Sequence, residues 1–342
     1  MKRFLVITLL LIILAAVPLG LYAYRILFSP TTSFSNDSVE LFIYPKTSFE
    51  NLKEQLSREQ IISNEAKFAS VAKMMKFKTP KPGRYIIPKN SSNIELVRQL
   101  RSGNQTPIRV TFNNVRTKKE FAEKIGAHFL FGQDSLLDAL NDKVFLEKYG
   151  VNPENAMVIF IPNTYEFFWN VTTHDFLDRM FRYYQKFWNE NRLKQAQDMN
   201  LTPVEVSILA SIVEEENHRT DEQPRIAGLY LNRLKKDMLL QADPTVKFAV
   251  GDFGLTQILN RHLEYDSPYN TYKYKGLPPG PLRIPEASAV DATLNAEKHT
   301  YIFMCAKEDL SGYHNFATTL SEHDRNAAKY HAAYKIWKKQ QK

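Results

Sequence analysis

The sequence predicts an α+β protein carried on one N-terminal transmembrane helix, on three observations. An uncharged apolar run opens the chain, a strand-helix-helix-strand pattern follows between Val39 and Pro88, and the remainder mixes helical stretches with polar, Pro-rich loops. At 342 residues, with 44% apolar and 24% charged side chains, the chain is long enough for about two domains and an unstapled core. That composition excludes a disordered chain, a collagen and a whole-chain membrane bundle. Its one cysteine, Cys305, excludes an intramolecular disulfide, and no Cys/His cluster has zinc spacing, so no structural metal is expected.

Lys2 and Arg3 precede an apolar run over residues 4–23 that only Thr8, Pro18 and Gly20 interrupt. Such a run reaches roughly 30 Å as a helix, the thickness of a bilayer core. A cleaved signal peptide is the competing expectation. Its apolar stretch is usually about 7–15 residues and ends in a small-x-small site, whereas Tyr22, Tyr24 and Arg25 follow here. Residues 1–28 therefore read as a cytoplasmic tip and an uncleaved anchor, with residues 4–24 in the inner membrane and the rest of the chain outside. Residues 29–37, rich in Ser, Thr, Asn and Pro, read as a linker.

The formal charge is +8, and removing Lys2, Arg3 and Arg25 leaves +5 for the outer part. On that side of a membrane, anionic envelope polymers or lipid head groups suit a moderately basic surface better than nucleic acid does.

A first domain is expected over residues 38–112. It has strands at 39–44, 83–88 and 108–112 and helices at 48–56, 64–75 and 93–100. A second is expected over 113–342. Residues 117–125 and 135–149 read as helical, 152–166 as a loop with a buried aromatic edge, and 176–199 as one long helix. The chemistry-bearing core starts at about 201.

Thr202, Pro203 and Glu205 form a helix start: a Thr cap, a Pro at the first helical position and a Glu three residues after the cap. With the register so set, Val206, Ile208, Leu209, Ile212 and Val213 crowd one arc. Three glutamates close the helix. Glu216 falls inside the arc, Glu214 points outside it and Glu215 sits at its edge. A carboxyl in apolar surroundings keeps its proton near neutral pH and suits a general acid. Periodicity alone favours a helix-end carboxylate bonded to Arg219 or Arg225.

A helix over 223–236 then leads into polar and aromatic loops: Gln241, Asp243 and Thr245, then Tyr269, Asn270, Thr271 and Tyr272, then Gly276 to Leu282 with Pro278 and Pro279. Tyrosine rings can stack on sugar faces, and amides and hydroxyls can bond hydroxyl and acetamido groups. Each string alone is also an ordinary turn former.

Taken in order, these strings resemble the YceG-like endolytic murein transglycosylases, the MltG family of bacterial envelope enzymes. The resemblance adds Lys81-Pro82-Gly83-Arg84-Tyr85, Pro162-Asn163-Thr164-Tyr165-Glu166 and His314-Asn315-Phe316, and covers nearly the whole chain. It implies that the strand-helix-helix-strand unit is LysM-like and that Glu216 is the catalytic residue. Gln241, Asp243, Thr245, Tyr269, Asn270, Thr271, Tyr272, Pro278, Pro279, His314 and Phe316 would line the substrate groove. The implied reaction cleaves the β-1,4 bond between N-acetylmuramic acid and N-acetylglucosamine and leaves 1,6-anhydro ends, without cofactor or metal. Peptidoglycan glycan strands are the implied substrate and cell-wall synthesis proteins the candidate partners.

Three positions depart from the family pattern. Glu215 stands where relatives usually carry Lys, and its charge would raise the pKa of Glu216 further. Asn217 replaces a small or hydroxyl residue, and Leu282-Arg283-Ile284-Pro285-Glu286 replaces an Asn-Pro-Gly turn. Two other classes fit the same residues: a lysozyme-like hydrolase with Asp243 as second carboxylate, and a glycan-binding scaffold in which Glu216 is structural.

Overall fold

The computed structural model describes residues 2–32, 34–255 and 257–340, and the chain divides into two units. The first is residues 1–109 with 166–171; the second is 110–165 with 172–342.

In the first unit α1 (Lys2–Phe28) runs unbroken through Pro18. Its residues Ile7–Phe28 have a mean hydropathy of 2.3 and none is buried, so this helix is long and apolar enough to cross a membrane. A β-α-α-β order follows: β1 (Ser38–Ile43), α2 (Phe49–Arg58), α3 (Glu65–Met74) and β2 (Gly83–Pro88). The two strands pair antiparallel from Ser38 opposite Pro88 to Ile43 opposite Gly83. Period-two alternation sends Leu41 and Ile43 inward beside Tyr85 and Ile87, against Leu52, Leu56, Phe68 and Val71 from the helices. Ser48 and Asn64 cap α2 and α3 by accepting from the amides of Asn51 and Lys67. Next comes α4 (Asn93–Ser102), which starts in a Ser92/Glu95 capping box.

The expected linker is not free. Thr31 and Thr32 are buried, and both their amides donate to the carbonyl of Ser91. The Thr32 hydroxyl donates to the Pro88 carbonyl and accepts from the Ser91 amide. Just before this segment the Ile26 carbonyl accepts from Asn93 Nδ2, and Ile26 and Leu27 pack on the core. Composition suggested a linker because Ser and Thr favour turns; here the Thr32 hydroxyl completes a neighbouring turn instead.

β3 (Ile108–Phe112) pairs with a later strand. In the second unit α5 (Lys118–Phe121) runs into a π-helical turn, Ala122–Gly126. The stretch expected to be one helix over 135–149 is two, α6 (Gly132–Ala139) and α7 (Lys143–Glu147), with Asp142 capping the second. Part of the expected loop over 152–166 is strand: β4 (Asn163–Phe167) is the partner of β3, and the Thr111 and Thr164 hydroxyls meet at 2.7 Å. Residues 166–171 return to the first unit, where Trp169 packs on Phe42 and Tyr44. The expected helix over 176–199 is also divided. α8 (Thr173–Phe187) stops at Trp188, and Asn189 caps α9 (Glu190–Asp198) by accepting from Arg192 N.

α10 (Pro203–Glu216) starts as its sequence predicts, with the Thr202/Glu205 capping box and Pro203 at the first turn. Every residue from Val206 to Glu214 is buried. The helix packs with α11 (Gln223–Lys235), α12 (Asp243–Val250) and α14 (Ala287–Leu294), while the short α13 (Asn260–Leu263) packs with α12. The Gln241 to Val246 stretch is therefore not a loop throughout: a helix begins at Asp243 with Pro244 in its first turn. An antiparallel hairpin, β5 (Phe303–Ala306) and β6 (His314–Ala317), and the exposed α15 (Leu320–Gln340) complete the unit.

Candidate active site

The second unit holds a cavity of about 280 Å³ at the C-terminal end of α10. Glu216, the last residue of that helix, lines it. Tyr230 and Arg233, three apart on α11, line it too, with Gln241 and Asp243 at the entry to α12, Tyr272 from the next loop, Met304, Cys305 and Ala306 from β5, and His314 from β6.

The polar groups are paired in a definite pattern. Tyr230 OH donates to Glu216 Oε2 at 3.0 Å, and Tyr272 OH donates to Asp243 Oδ1 at 2.6 Å. Arg233 spends its Nε on the Ile302 carbonyl at 2.6 Å and its Nη1 on the Leu239 and Leu240 carbonyls and Gln241 Oε1. The guanidinium thus pins the approach to β5 to the turn before α12. His314 Nδ1 lies 2.7 Å from Glu222 Oε2, and the His314 amide donates to Glu222 Oε1 at 2.9 Å.

Burial pushes the Glu216 carboxyl up to about 7. His314, the Tyr230 bond and Arg233 pull it down, while Asp243 adds to the rise. Near neutral pH this group can therefore both give and take a proton. Burial alone would lower the His314 imidazole, but the bond from Glu222 and the charges of Glu216 and Glu222 raise it. Burial would raise Glu222, yet the bonds from His314 and Asn217 hold it below the usual carboxylate range.

The other two glutamates correct the arc drawn from periodicity. Glu214 is 6% exposed, accepts from the Glu286 amide at 2.8 Å and pairs with Arg283 at 3.2 Å. It does not point away from the core, because α10 is covered on all sides and has no solvent face for periodicity to detect. Glu215 pairs with Arg116 at 2.8 Å and Arg283 at 3.1 Å. Glu215 and Arg283 thus meet as an ion pair. Among charges, that of Asp243 adds to the rise of Glu216. Neither candidate arginine bonds Glu216: Arg219 donates to the Ser311 carbonyl and Arg225 pairs with Glu297.

Of the predicted groove residues, the cavity brings together Gln241, Asp243, Tyr272 and His314 beside Glu216. The others stand behind it. Asn270 is fully buried, its Nδ2 donating to the Leu263 and Tyr265 carbonyls and its Oδ1 accepting from the Tyr272 amide. Thr245 and Thr271 are buried with their hydroxyls 2.8 Å apart, and Thr271 Oγ1 accepts from the Ala242 amide. They lock the turn that carries Asp243. Tyr269 packs on Phe248, Pro278 is buried and Pro279 half-buried, and Phe316 packs on Tyr301. Next to these prolines, a Cβ on Gly280 would fall 1.9 Å from the Glu154 carbonyl oxygen, so that motif glycine permits a close approach of two chain segments.

Sequence reasoning missed Tyr230, Arg233, Cys305 and Glu222. The first two lie three apart on a helix that was expected, so they share a face, but an aromatic and an arginine on one face read as packing. Nothing local links Glu222 to His314, 92 positions away.

The YceG-like family model matches residues 41–329. An endolytic murein transglycosylase of Bacillus subtilis (strain 168) is 26% identical over 328 residues, covering 91% of this chain and 90% of that protein. One of Streptococcus pneumoniae serotype 2 is 26% identical over 331 residues, covering 88% of this chain and 60% of its own. A crystal structure of a yceG-like protein of Listeria monocytogenes superimposes with a TM-score of 0.56 at 25% identity, over 85% of this chain and 99% of that one.

Proposed function

This chain belongs to the YceG-like family, and from that premise we propose that it is a membrane-anchored endolytic lytic transglycosylase of peptidoglycan. The observation that carries the reading is Glu216, a carboxyl raised to about 7 on a cavity lined with tyrosine, amide, imidazole and guanidinium groups.

In the proposed reaction protonated Glu216 gives its proton to the glycosidic oxygen between N-acetylmuramic acid and N-acetylglucosamine, and the bond from that oxygen to the muramyl C1 breaks. The carboxylate then takes the proton of the muramyl 6-hydroxyl as its oxygen bonds to C1. No water is consumed, Glu216 ends protonated, and the product carries a 1,6-anhydro end. Acid-then-base use of one group suits a carboxyl whose two forms are close in energy at the working pH. Tyr230 would hold Oε2 in place, and Gln241, Tyr272 and His314 would meet the sugar.

Residues 4–24 would anchor the enzyme in the inner membrane, with Lys2 and Arg3 inside and the chain after about Phe28 outside. The β-α-α-β unit is assigned a LysM-like role on its element order alone.

Mass spectrometry of products from intact peptidoglycan tests the reading. Wild type is expected to release anhydro-ended fragments and Glu216→Gln none. Release at near wild-type rate by Glu216→Gln would overturn the mechanism. One observation favours a second chemistry: Asp243 lines the same cavity and acts electrostatically on Glu216, as a second carboxylate would in a hydrolase. Reducing rather than anhydro ends would select it.

A further inference from the structure

Glu222 is a buried carboxylate that the proposed chemistry leaves unused, and it stands where three segments meet. Its Oε2 accepts from Asn217 Nδ2 at 2.5 Å and contacts His314 Nδ1 at 2.7 Å, while its Oε1 accepts from the His314 amide at 2.9 Å. Asn217 directly follows Glu216. Its amide also donates to the Gly312 carbonyl, and its own carbonyl accepts from Gln223 Nε2. One carboxylate therefore ties the end of α10, the start of α11 and the hairpin strand β6. An ionised Glu222 has no proton to give, so Nδ1 of His314 is the donor between them. The same imidazole lines the cavity with Glu216.

The geometry points to Glu222 and His314 as a positioning pair: the carboxylate accepts from Nδ1–H, favours the imidazolium form and holds the ring at the cavity wall as counter-charge to ionised Glu216. This inference rests on the acid-then-base reading of Glu216, because only a carboxyl that must ionise between two proton transfers needs such a partner.

Of the other groups facing Glu216, Arg233 also favours its ionisation, but less than His314 does. Burial raises Tyr230 from α11, Tyr272 from its loop and Cys305 from β5, which keeps all three neutral. Asp243 from α12 opposes ionisation. Arg233 is the other cation on the cavity among the described residues, and its Nε and Nη1 are taken by carbonyls and Gln241. The directions agree: Glu222 is lowered, His314 is raised, and His314 is the strongest influence favouring ionised Glu216.

The test is the pH dependence of kcat/KM for the full chain in detergent on glycan strands. Wild-type activity should decline above about pH 7, where Glu216 loses its proton before binding. Glu222→Gln and His314→Gln each remove the counter-charge, so in both the decline should move up by about one pH unit while kcat falls about tenfold. Asn217→Ser loosens the tie without changing charge, and its decline should stay with wild type. A decline unmoved in both charge variants, or moved equally in Asn217→Ser, would reduce the pair to a brace and overturn the inference. Should Glu222→Gln fail to fold, His314→Gln carries the test. An NMR titration of the His314 ring reads the pair without cleavage. Its midpoint should fall in Glu222→Gln, and an unchanged midpoint would overturn the inference whatever the reaction proves to be.

Discussion

Glu214 and Glu215 share the Arg283 guanidinium, at 3.2 and 3.1 Å, and Arg116 closes on Glu215 from the other side. One residue further, Glu216 meets a tyrosine hydroxyl and an open cavity. All three belong to the last turn of one helix. Burial raises both Glu214 and Glu216, so burial alone does not distinguish a working carboxyl from a structural one. The difference lies in what neutralises each. Glu214 is held by Arg283 and the Glu286 amide, and Glu215 is clamped between Arg283 and Arg116. The Glu216 carboxyl has one hydroxyl bond, counter-charges it does not bond directly, and access.

Four experiments would break or sharpen that contrast. Glu216→Gln keeps shape and loses the proton, and turnover should fall by roughly 10³–10⁴-fold, read as anhydro ends released with time. Arg283→Met leaves buried Glu214 without its cation and Glu215 with Arg116 alone, and should lower unfolding stability by about 3–5 kcal/mol in denaturant titrations. A loss under 1 kcal/mol would mean that water reaches both carboxylates.

The third prediction concerns stability against pH. A carboxyl at about 7 when folded and near 4.5 when unfolded binds its proton more tightly in the fold. Its contribution is fully present below 4.5 and is lost as pH rises through 7. Glu216→Gln should therefore match wild type at low pH and exceed it by about 3 kcal/mol above neutrality. Equal stability at both ends would place Glu216 in water. The smallest effect is expected at Asn270, whose amide satisfies two carbonyls and one N–H rather than substrate. Asn270→Ala should cost about 2 kcal/mol of stability. Turnover should fall about tenfold, through displacement of Tyr272. Full stability with lost binding would return Asn270 to the groove.

The short-range features were legible in the sequence. The Thr202/Glu205 cap, Pro203, the strand Gly83–Pro88 and the capped helices α2 to α4 depend on neighbours within a few positions, which composition and period record. So was the inward placement of Glu216, although the same arc misplaced Glu214. Tertiary structure alone decided the rest. Where α10 is covered by α11, α12 and α14, every face is a core face and the helical period loses its meaning. The partners that set each charge come from far along the chain, Arg283 from 68 positions beyond Glu215 and His314 from 92 beyond Glu222. The hydroxyls of Thr245 and Thr271 likewise turned out to hold a turn rather than face a sugar. Which polar group meets a ligand and which meets another polar group depends on how segments distant in sequence pack, and no local pattern encodes that.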